Sequence, residues 1–115
     1  MKKVADLIGA ELDFYVAKAE GWTAWIVDGE CWTNGEGGGM VTYKPSYWWE
    51  DGGPIIQSEI IQLKFHYEEQ LWEAYINDSD DDYVGVGDTP LIAAMRAYVA
   101  SKFGSTVPDE ARTEQ

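Results

Sequence analysis

The sequence predicts an α+β fold in which an antiparallel β-sheet packs with an N-terminal and a C-terminal α-helix. Apolar residues recur at helical spacing near each end of the chain, and the middle alternates apolar and polar residues between turn-forming ones. With 115 residues and 45% apolar content, the chain is long enough for one hydrophobic core and too short for two. We therefore expect residues 1–115 to form a single domain.

The first helix is expected over residues 10–20. Gly9 and Gly21 flank this segment, and Gly21 is typical of the residue that follows a helix C-terminus. The apolar face has the i, i+3, i+4, i+7 spacing of a helix and consists of Leu12, Tyr15, Val16 and Ala19.

Short strands are expected in the middle of the chain. Residues 22–32 predict a strand with a turn at Asp28 and Gly29, and residues 40–44 predict another strand. Between them, residues 34–39 are rich in glycine and predict a flexible loop. Residues 55–60 could form one helical turn started by Pro54.

A β-hairpin is expected next, with its turn at residues 68–70. Residues 77–82 then predict an acidic loop, followed by a third short strand at residues 83–87. One face of each hairpin strand is apolar, with Leu63, Phe65 and Tyr67 on the first and Trp72, Ala74 and Ile76 on the second.

The last helix has the clearest limits. Thr89 is a good N-cap, Pro90 suits the first helical position, and Gly104 ends the segment. Two faces of this helix can pack, which predicts either the first helix or a second subunit as its neighbour. A homo-oligomer is the expected assembly. The apolar stripe consists of Leu91, Ile92, Met95, Val99 and Phe103, and the other side carries Ala93, Ala97 and Ala100. Residues 105–115 form a polar tail that we expect to be loose at its end.

The net charge of -13 narrows the possible partners. Direct binding to nucleic acid needs clustered Lys and Arg, and an anionic membrane surface also attracts basic residues, so neither partner is expected. The charge fits simple solubility, or an acidic face that mimics nucleic acid. Cys31 stands alone, which excludes an internal disulfide, and we find no signal peptide or apolar span; these features predict a cytoplasmic protein.

No catalytic constellation can be assembled from the sequence, so we expect a protein that is not an enzyme and carries no cofactor. His66 is expected to point outward on the hairpin beside Lys64. The run Asp78, Asp80 and Asp82 resembles the start of a calcium loop, but Tyr83 and Thr89 stand where the glycine and the bidentate glutamate should be. A solvated turn is the better interpretation, which leaves weak cation binding open.

Four large aromatic residues precede a Gly-Gly-Pro turn, namely Tyr43, Tyr47, Trp48 and Trp49. Gly52 and Gly53 permit close backbone approach, and their amides could face an anion. Arg96 lies at the edge of the apolar stripe of the last helix, where it must extend to solvent, pair with an acid or point into a pocket. Arg96 is the donor expected for a phosphate-bearing ligand.

Two segments of the chain carry a recognisable pattern. The first is residues 43–56, through Tyr43, Pro45, Ser46, Trp49, Gly52, Gly53, Pro54, Ile55 and Ile56; the second is residues 89–110. Together they resemble the NinX-like family of small phage and prophage proteins. Residues 9–21 are similar as well. The chain departs from the family pattern at Tyr47 and Trp48, where small or polar residues are expected, so its site should be more aromatic. The resemblance implies a phage accessory protein acting in the host cytoplasm.

The leading hypothesis for function is a non-catalytic sponge that binds and sequesters a nucleotide-derived signal of host defence. The alternative is an acidic inhibitor or DNA mimic that binds a host restriction, recombination or defence enzyme. Trp49 and Ile55 are expected in the core, and Tyr43, Tyr47 or Trp48 against the ligand or partner. The ligand-binding residues predicted from the sequence are Tyr43, Ser46, Tyr47, Trp48, Gly52, Gly53 and Arg96.

Overall fold

The computed structural model describes residues 1–34, 38–78 and 81–109. Its helices are α1 (Gly9–Ala19), α2 (Trp49–Ser58) and α3 (Pro90–Phe103), and a 3-10 turn covers Val4–Asp6. Its strands are β1 (Lys2–Lys3), β2 (Ala24–Val27), β3 (Glu30–Thr33), β4 (Val41–Thr42), β5 (Gln62–His66), β6 (Leu71–Asp78), β7 (Asp81–Gly87) and β8 (Thr106–Val107). This architecture confirms the predicted α+β class.

The described strands form separate antiparallel sheets rather than one. β2, β3 and β4 form the first sheet, β5, β6 and β7 form the second, and β1 pairs with β8 near the chain ends. The turn predicted at Asp28 and Gly29 joins β2 to β3, because both residues have the positive φ that such a turn needs.

α3 is the centre of the fold. One side of α3 contacts β7 and β6, and the other side contacts α1, which in turn packs on β2 and β3. The two larger sheets therefore lie on the outside of a pair of helices. The two-sided packing predicted for α3 is confirmed with the N-terminal helix as one neighbour, and the alanine side is covered by β7. Fully buried residues at the centre include Leu12, Val16, Met95 and Val99.

The limits predicted for α3 are confirmed. The Thr89 hydroxyl accepts a hydrogen bond from the Ile92 amide at 3.1 Å, and Gly104, with φ of 88°, follows the last helical residue. Both signals are local, because a cap acts on the amides or carbonyls of its own helix turn. Phe103, the last residue of the predicted stripe, is largely exposed.

The Gly-Gly-Pro segment differs from the prediction. Instead of a tight turn before a helix started by Pro54, the helix α2 begins at Trp49, and Pro54 lies inside it. Local rules disfavour Gly and Pro there, because Gly is flexible and Pro lacks an amide hydrogen. Packing overrides them: Gly52 and Ile55 of α2 are both buried, and the carboxylates of Glu50 and Asp51 lie in the first turn, where they favour helix formation.

The acidic segment also differs from the prediction. β6 continues through Asn77 and β7 already includes Asp82, and these two residues pair across the hairpin. The Asn77 side-chain amide donates to an Asp82 carboxylate oxygen, which draws the two strands together at this end. Residues 79 and 80 lie outside the described part of the chain, as do residues 35–37 of the predicted loop and residues 110–115 of the predicted tail.

Candidate functional site

A cleft of about 480 Å³ opens between the start of α1, the β2–β3 turn and residues 44–47. Its volume is in the range of small-ligand sites in proteins. The polar residues that line it come from three separate parts of the chain and are Asp13, Glu30, Cys31, Lys44, Ser46 and Tyr47. The remaining wall is apolar or glycine and includes Ile8 and Ile92.

Asp13 is the buried carboxylate of this cleft. Its residue is only 3% exposed, because every residue of α1 from Leu12 to Ala17 is buried. One carboxylate oxygen accepts a hydrogen bond from the Ser46 amide at 2.9 Å. Burial raises the pKa of Asp13 to about 6, against the lowering effect of the hydrogen bonds from Ser46. A carboxyl group that titrates near neutral pH in a cleft is characteristic of functional sites.

Lys44 holds one rim of the cleft in place. Its Nζ lies 2.6 Å from a Glu30 carboxylate oxygen on β3 and 5.0 Å from the centre of the Trp48 ring. The hydrogen bond to Glu30 is the main reason that the pKa of Lys44 is raised. The Lys44 amide donates to Asp51 at 2.9 Å, which connects this rim to the first turn of α2. The ammonium group is therefore positioned at the cleft by a carboxylate and an aromatic face.

The aromatic residues face different ways, and one expectation about them is wrong: Trp49, expected in the core, is 55% exposed. Tyr43 is buried with its ring 5.1 Å from that of Trp22 and lines another cleft, so its contact with a ligand or partner stays a prediction. Ile55 is buried, as expected. Tyr47 is 75% exposed at the cleft, and Trp48 is half-buried beneath Lys44.

The two adjacent glycines of α2 differ in how closely other residues approach them. The Gly52 amide donates to the Trp48 carbonyl at 2.9 Å, so it is engaged within the chain and does not face an anion. A Cβ at Gly52 would lie 2.3 Å from the Pro45 carbonyl oxygen, whereas a Cβ at Gly53 would have no neighbour closer than 3.8 Å. Gly52 thus sets how closely α2 approaches the segment that carries Ser46.

Alanine at these two neighbouring positions is expected to have opposite effects on the free energy of unfolding. We expect Gly52→Ala to lower the unfolding free energy by about 2 kcal/mol, because a buried backbone contact must open. Gly53→Ala should raise it by about 1 kcal/mol, because alanine is the better helix former and the added methyl has room. Thermal unfolding followed by circular dichroism measures both, and shifts of the same sign would contradict the assigned packing of α2.

Arg96 lies elsewhere than predicted. Its Nε donates to the Leu7 carbonyl at 2.9 Å and its Nη1 to the Val86 carbonyl at 2.6 Å, so it ties the segment before α1 to β7. It lines a smaller cleft of about 180 Å³ with Val4 and Gly85. Burial lowers the pKa of the guanidinium group. The structure gives Arg96 neither the ion pair nor the place beside residues 43–53 that the sequence suggested.

The structure therefore brings together only part of the predicted set. Ser46 and Tyr47 line the cleft of Asp13, with Trp48 against its lysine, while Tyr43 and Arg96 line two other clefts. His66 is half-buried instead of fully outward-facing, with its Nε2 2.8 Å from a Glu73 carboxylate oxygen.

Sequence reasoning missed Asp13, Glu30, Cys31 and Lys44. A signal for Asp13 was present, since the apolar residues that follow it cover more than one face of the helix and imply burial all round. Nothing local marks Glu30 or Lys44, because their ion pair joins the start of β3 to the segment that follows β4. Burial, reinforced by the charge of Asp13, raises the pKa of the Cys31 thiol to about 12, which keeps it protonated and unreactive.

The comparisons with known proteins are consistent with the resemblance noted in the sequence. The profile of the family described as Bacteriophage P22, NinX matches residues 3–102. This chain belongs to the NinX family. The matched range runs from β1 into α3 and includes all the polar residues that line the Asp13 cleft. No curated protein gives a significant match to this NinX-family chain.

Membership in the NinX family confirms that this is a phage protein. In the part of the chain that the structure describes, no helix has the length and apolar character needed to cross a membrane. Among those same residues, no group of three or more histidine, cysteine or acidic side chains is arranged to hold a metal ion. The side chain of Asp78 and the whole of Asp80, two residues of the suggested cation site, lie outside that description.

Proposed function

We propose that this phage accessory protein counters host defence by binding and sequestering a nucleotide-derived signalling molecule, without catalysis, in the host cytoplasm. The observation that supports this most directly is the cleft of about 480 Å³ with the Tyr47 ring exposed at its edge. A ring that is 75% exposed beside a cleft offers its face to a flat ligand. Stacking of a base on such a ring contributes about 1 to 3 kcal/mol.

The polar groups of the cleft suit the other parts of a nucleotide. The Lys44 ammonium can meet a phosphate oxygen, provided that the phosphate competes with Glu30 for it. Asp13 and Ser46 form a polar wall that can hydrogen-bond to the edge of a base or to a sugar hydroxyl. The net charge of -13 disfavours highly charged anions, so a ligand with one or two phosphate charges fits better than a triphosphate.

Several features of the cleft support binding rather than catalysis. The Cys31 thiol is held protonated, Lys44 is paired with Glu30, and one oxygen of Asp13 is engaged by the Ser46 amide. A nucleophile needs an adjacent base and an accessible path to the substrate, and these three side chains do not provide that arrangement.

A thermal-shift screen tests the proposal. Purified protein is heated with cyclic oligonucleotides, ADP-ribose derivatives and ordinary nucleotides in parallel. A ligand at 100 times its dissociation constant adds about 2.7 kcal/mol, which should raise the unfolding midpoint by about 10 °C. We expect such a shift for one ligand class, and a flat panel across all classes would contradict the sponge.

A pair of tyrosine variants locates the binding. Tyr47→Ala should lose about fivefold or more in affinity for the ligand found, because the stacking face is removed. Tyr67→Ala is the matched control, since Tyr67 is 80% exposed on the β5–β6 turn and does not line the Asp13 cleft. Equal losses in the two variants would place the binding site elsewhere.

Exposed aromatic residues also favour the second candidate, an acidic inhibitor or DNA mimic of a host defence, restriction or recombination enzyme. Tyr47 and Trp49, two positions apart in the chain, are both exposed. Exposed aromatic rings of this kind commonly anchor protein interfaces. Binding by a DNA mimic should weaken steeply as ionic strength rises, whereas a stacked ligand should be retained. A homo-oligomer remains part of the proposal, and light scattering of the purified protein measures it.

A further inference from the structure

A second cleft, of about 430 Å³, lies between the end of α1 and α2. It is chemically unlike the cleft of Asp13. Three carboxylate residues, Glu20, Glu50 and Asp51, line it, and its lining contains neither lysine nor arginine. Its aromatic wall is formed by Trp22 and Tyr43, whose rings are 5.1 Å apart and inclined at 66°.

Tyr43 gives this cleft a polar group that the chain itself does not use. The residue is only 6% exposed, and its hydroxyl makes no hydrogen bond to the residues that the structure describes. Glu20 and Asp51 line the same cleft as Tyr43. Burial raises the pKa of Tyr43, and the negative charges of these two acids raise it further. An unpaired hydroxyl that lines a cleft beside two acids is suited to accept a hydrogen bond from a cation.

The acids around Tyr43 have different tasks within the fold. Glu20 accepts a hydrogen bond from the Tyr98 hydroxyl, and Asp51 accepts one from the Lys44 amide. Glu50, in the first turn of α2, is exposed at the edge of the cleft.

We propose that this cleft binds an organic cation, a guanidinium or alkylammonium group, against the Trp22 and Tyr43 rings with Glu50 and Asp51 as its counter-ions. Aromatic faces attract such cations with about 0.5 to 2 kcal/mol, depending on how far the site excludes water. A bare divalent metal would need several oxygen ligands converging on one point, and the described acids are not arranged in that way. The net charge of -13 favours a cation throughout.

Two kinds of ligand carry such a cation: a basic side chain of a partner protein and a free polyamine. The proposal goes beyond the sponge, because it concerns another cleft and a ligand of opposite charge. Either proposal can therefore fail while the other holds.

The test is an NMR titration that follows the indole NH signals of ¹⁵N-labelled protein with n-butylguanidinium as the probe. The signal of Trp22 is assigned by its loss in Trp22→Phe. We expect saturable movement of this signal, and no comparable movement with the uncharged isostere n-butylurea. Movement of equal size with the urea, or none with the guanidinium, would overturn the proposal.

Two variants with the same change in net charge separate a local site from general attraction. Glu50→Gln removes a counter-ion from the cleft and should weaken binding of the guanidinium about threefold to fivefold. Glu68→Gln removes the same charge from the exposed β5–β6 turn and should leave binding unchanged. Equal weakening by both variants would show attraction by the overall charge and would contradict a built site.

Spermidine and a short arginine-containing peptide then distinguish the sources. Tighter binding of the peptide at the Trp22 signal supports a basic side chain of a partner, and tighter binding of spermidine supports a free polyamine. Movement of other indole signals without that of Trp22, for either probe, would count against the site.

Discussion

Gly85→Ala is expected to lower the free energy of unfolding by about 3 kcal/mol, which corresponds to a fall of about 12 °C in the unfolding midpoint. The cause is the contact between β7 and α3. A Cβ at Gly85 would lie 2.1 Å from the Ala93 carbonyl oxygen and 2.5 Å from the Ala97 amide nitrogen. These are backbone atoms of a helix, so no side-chain rotation relieves the clash and the whole helix must shift.

The neighbouring residue of the same strand supplies the control for this prediction. Val84 is 46% exposed, so Val84→Ala should cost less than about 1 kcal/mol. Chemical unfolding of the three proteins in urea, with the slope compared among them, measures both changes. A cost for Gly85→Ala no larger than that for Val84→Ala would mean that α3 does not approach β7 this closely.

Asp13→Asn is expected to make the protein more stable at pH 7.5 by about 2 to 3 kcal/mol. The pKa of Asp13 in the folded protein is about 6, whereas the ordinary pKa of an aspartate side chain is 3.8. Between these values the folded state binds more protons than the unfolded state. The stability that Asp13 contributes is therefore complete below about pH 4 and is lost as the pH rises through 6.

The variant removes this penalty because asparagine carries no charge into the buried site. Its side-chain oxygen can still accept the hydrogen bond from the Ser46 amide, so the contact between α1 and residues 44–47 is kept. We expect the wild-type protein and the Asp13→Asn variant to have similar stability at pH 4 and to diverge toward pH 7.

Urea unfolding at intervals from pH 4 to pH 8 measures this divergence. Glu68→Gln is the control, since it makes the same change in net charge at an exposed turn and should follow the wild-type profile. If the Asp13→Asn and wild-type curves ran parallel over the whole range, the carboxyl group would be ionised at no cost and its burial would be incorrect.

Asp13, which lowers stability near neutral pH, also lines the proposed binding cleft. The proposed ligand would give a buried carboxylate that costs stability near neutral pH a role in the site. If a ligand hydrogen-bonds to the protonated form, its affinity should be greater at pH 5 than at pH 8, and this pH dependence should disappear in Asp13→Asn. The thermal-shift screen repeated at both pH values measures it.

The elements that could be predicted from the sequence are those whose signals are local. α3 begins and ends where Thr89, Pro90 and Gly104 indicate, because caps act within one turn of the helix they limit. α1 and the β5–β6 hairpin also lie within a residue or two of their predicted limits, since apolar periodicity is visible in the segment itself.

The candidate site was predictable only in part, because its residues are brought together by contacts between distant parts of the chain. Ser46 and Tyr47 were among the predicted ligand-binding residues, and the structure places both at one cleft. The direction in which each ring of residues 43–49 points depends on packing partners distant in the chain, such as Trp22 for Tyr43. Arg96 lies at another cleft because its two acceptors are the backbone carbonyls of Leu7 and Val86, which no residue pattern identifies.

By itself the sequence determined the α+β class, the family, the limits of the last helix and the strongly acidic character of the chain. The tertiary structure alone decided that a Gly-Gly-Pro segment lies inside a helix and that Asp13 is buried against Ser46, 33 positions away. Local propensities amount to about 1 kcal/mol per residue or less for most residues, whereas burial of a side chain or a charge amounts to several. Where the two conflict, as at Gly52, close packing between distant segments prevails.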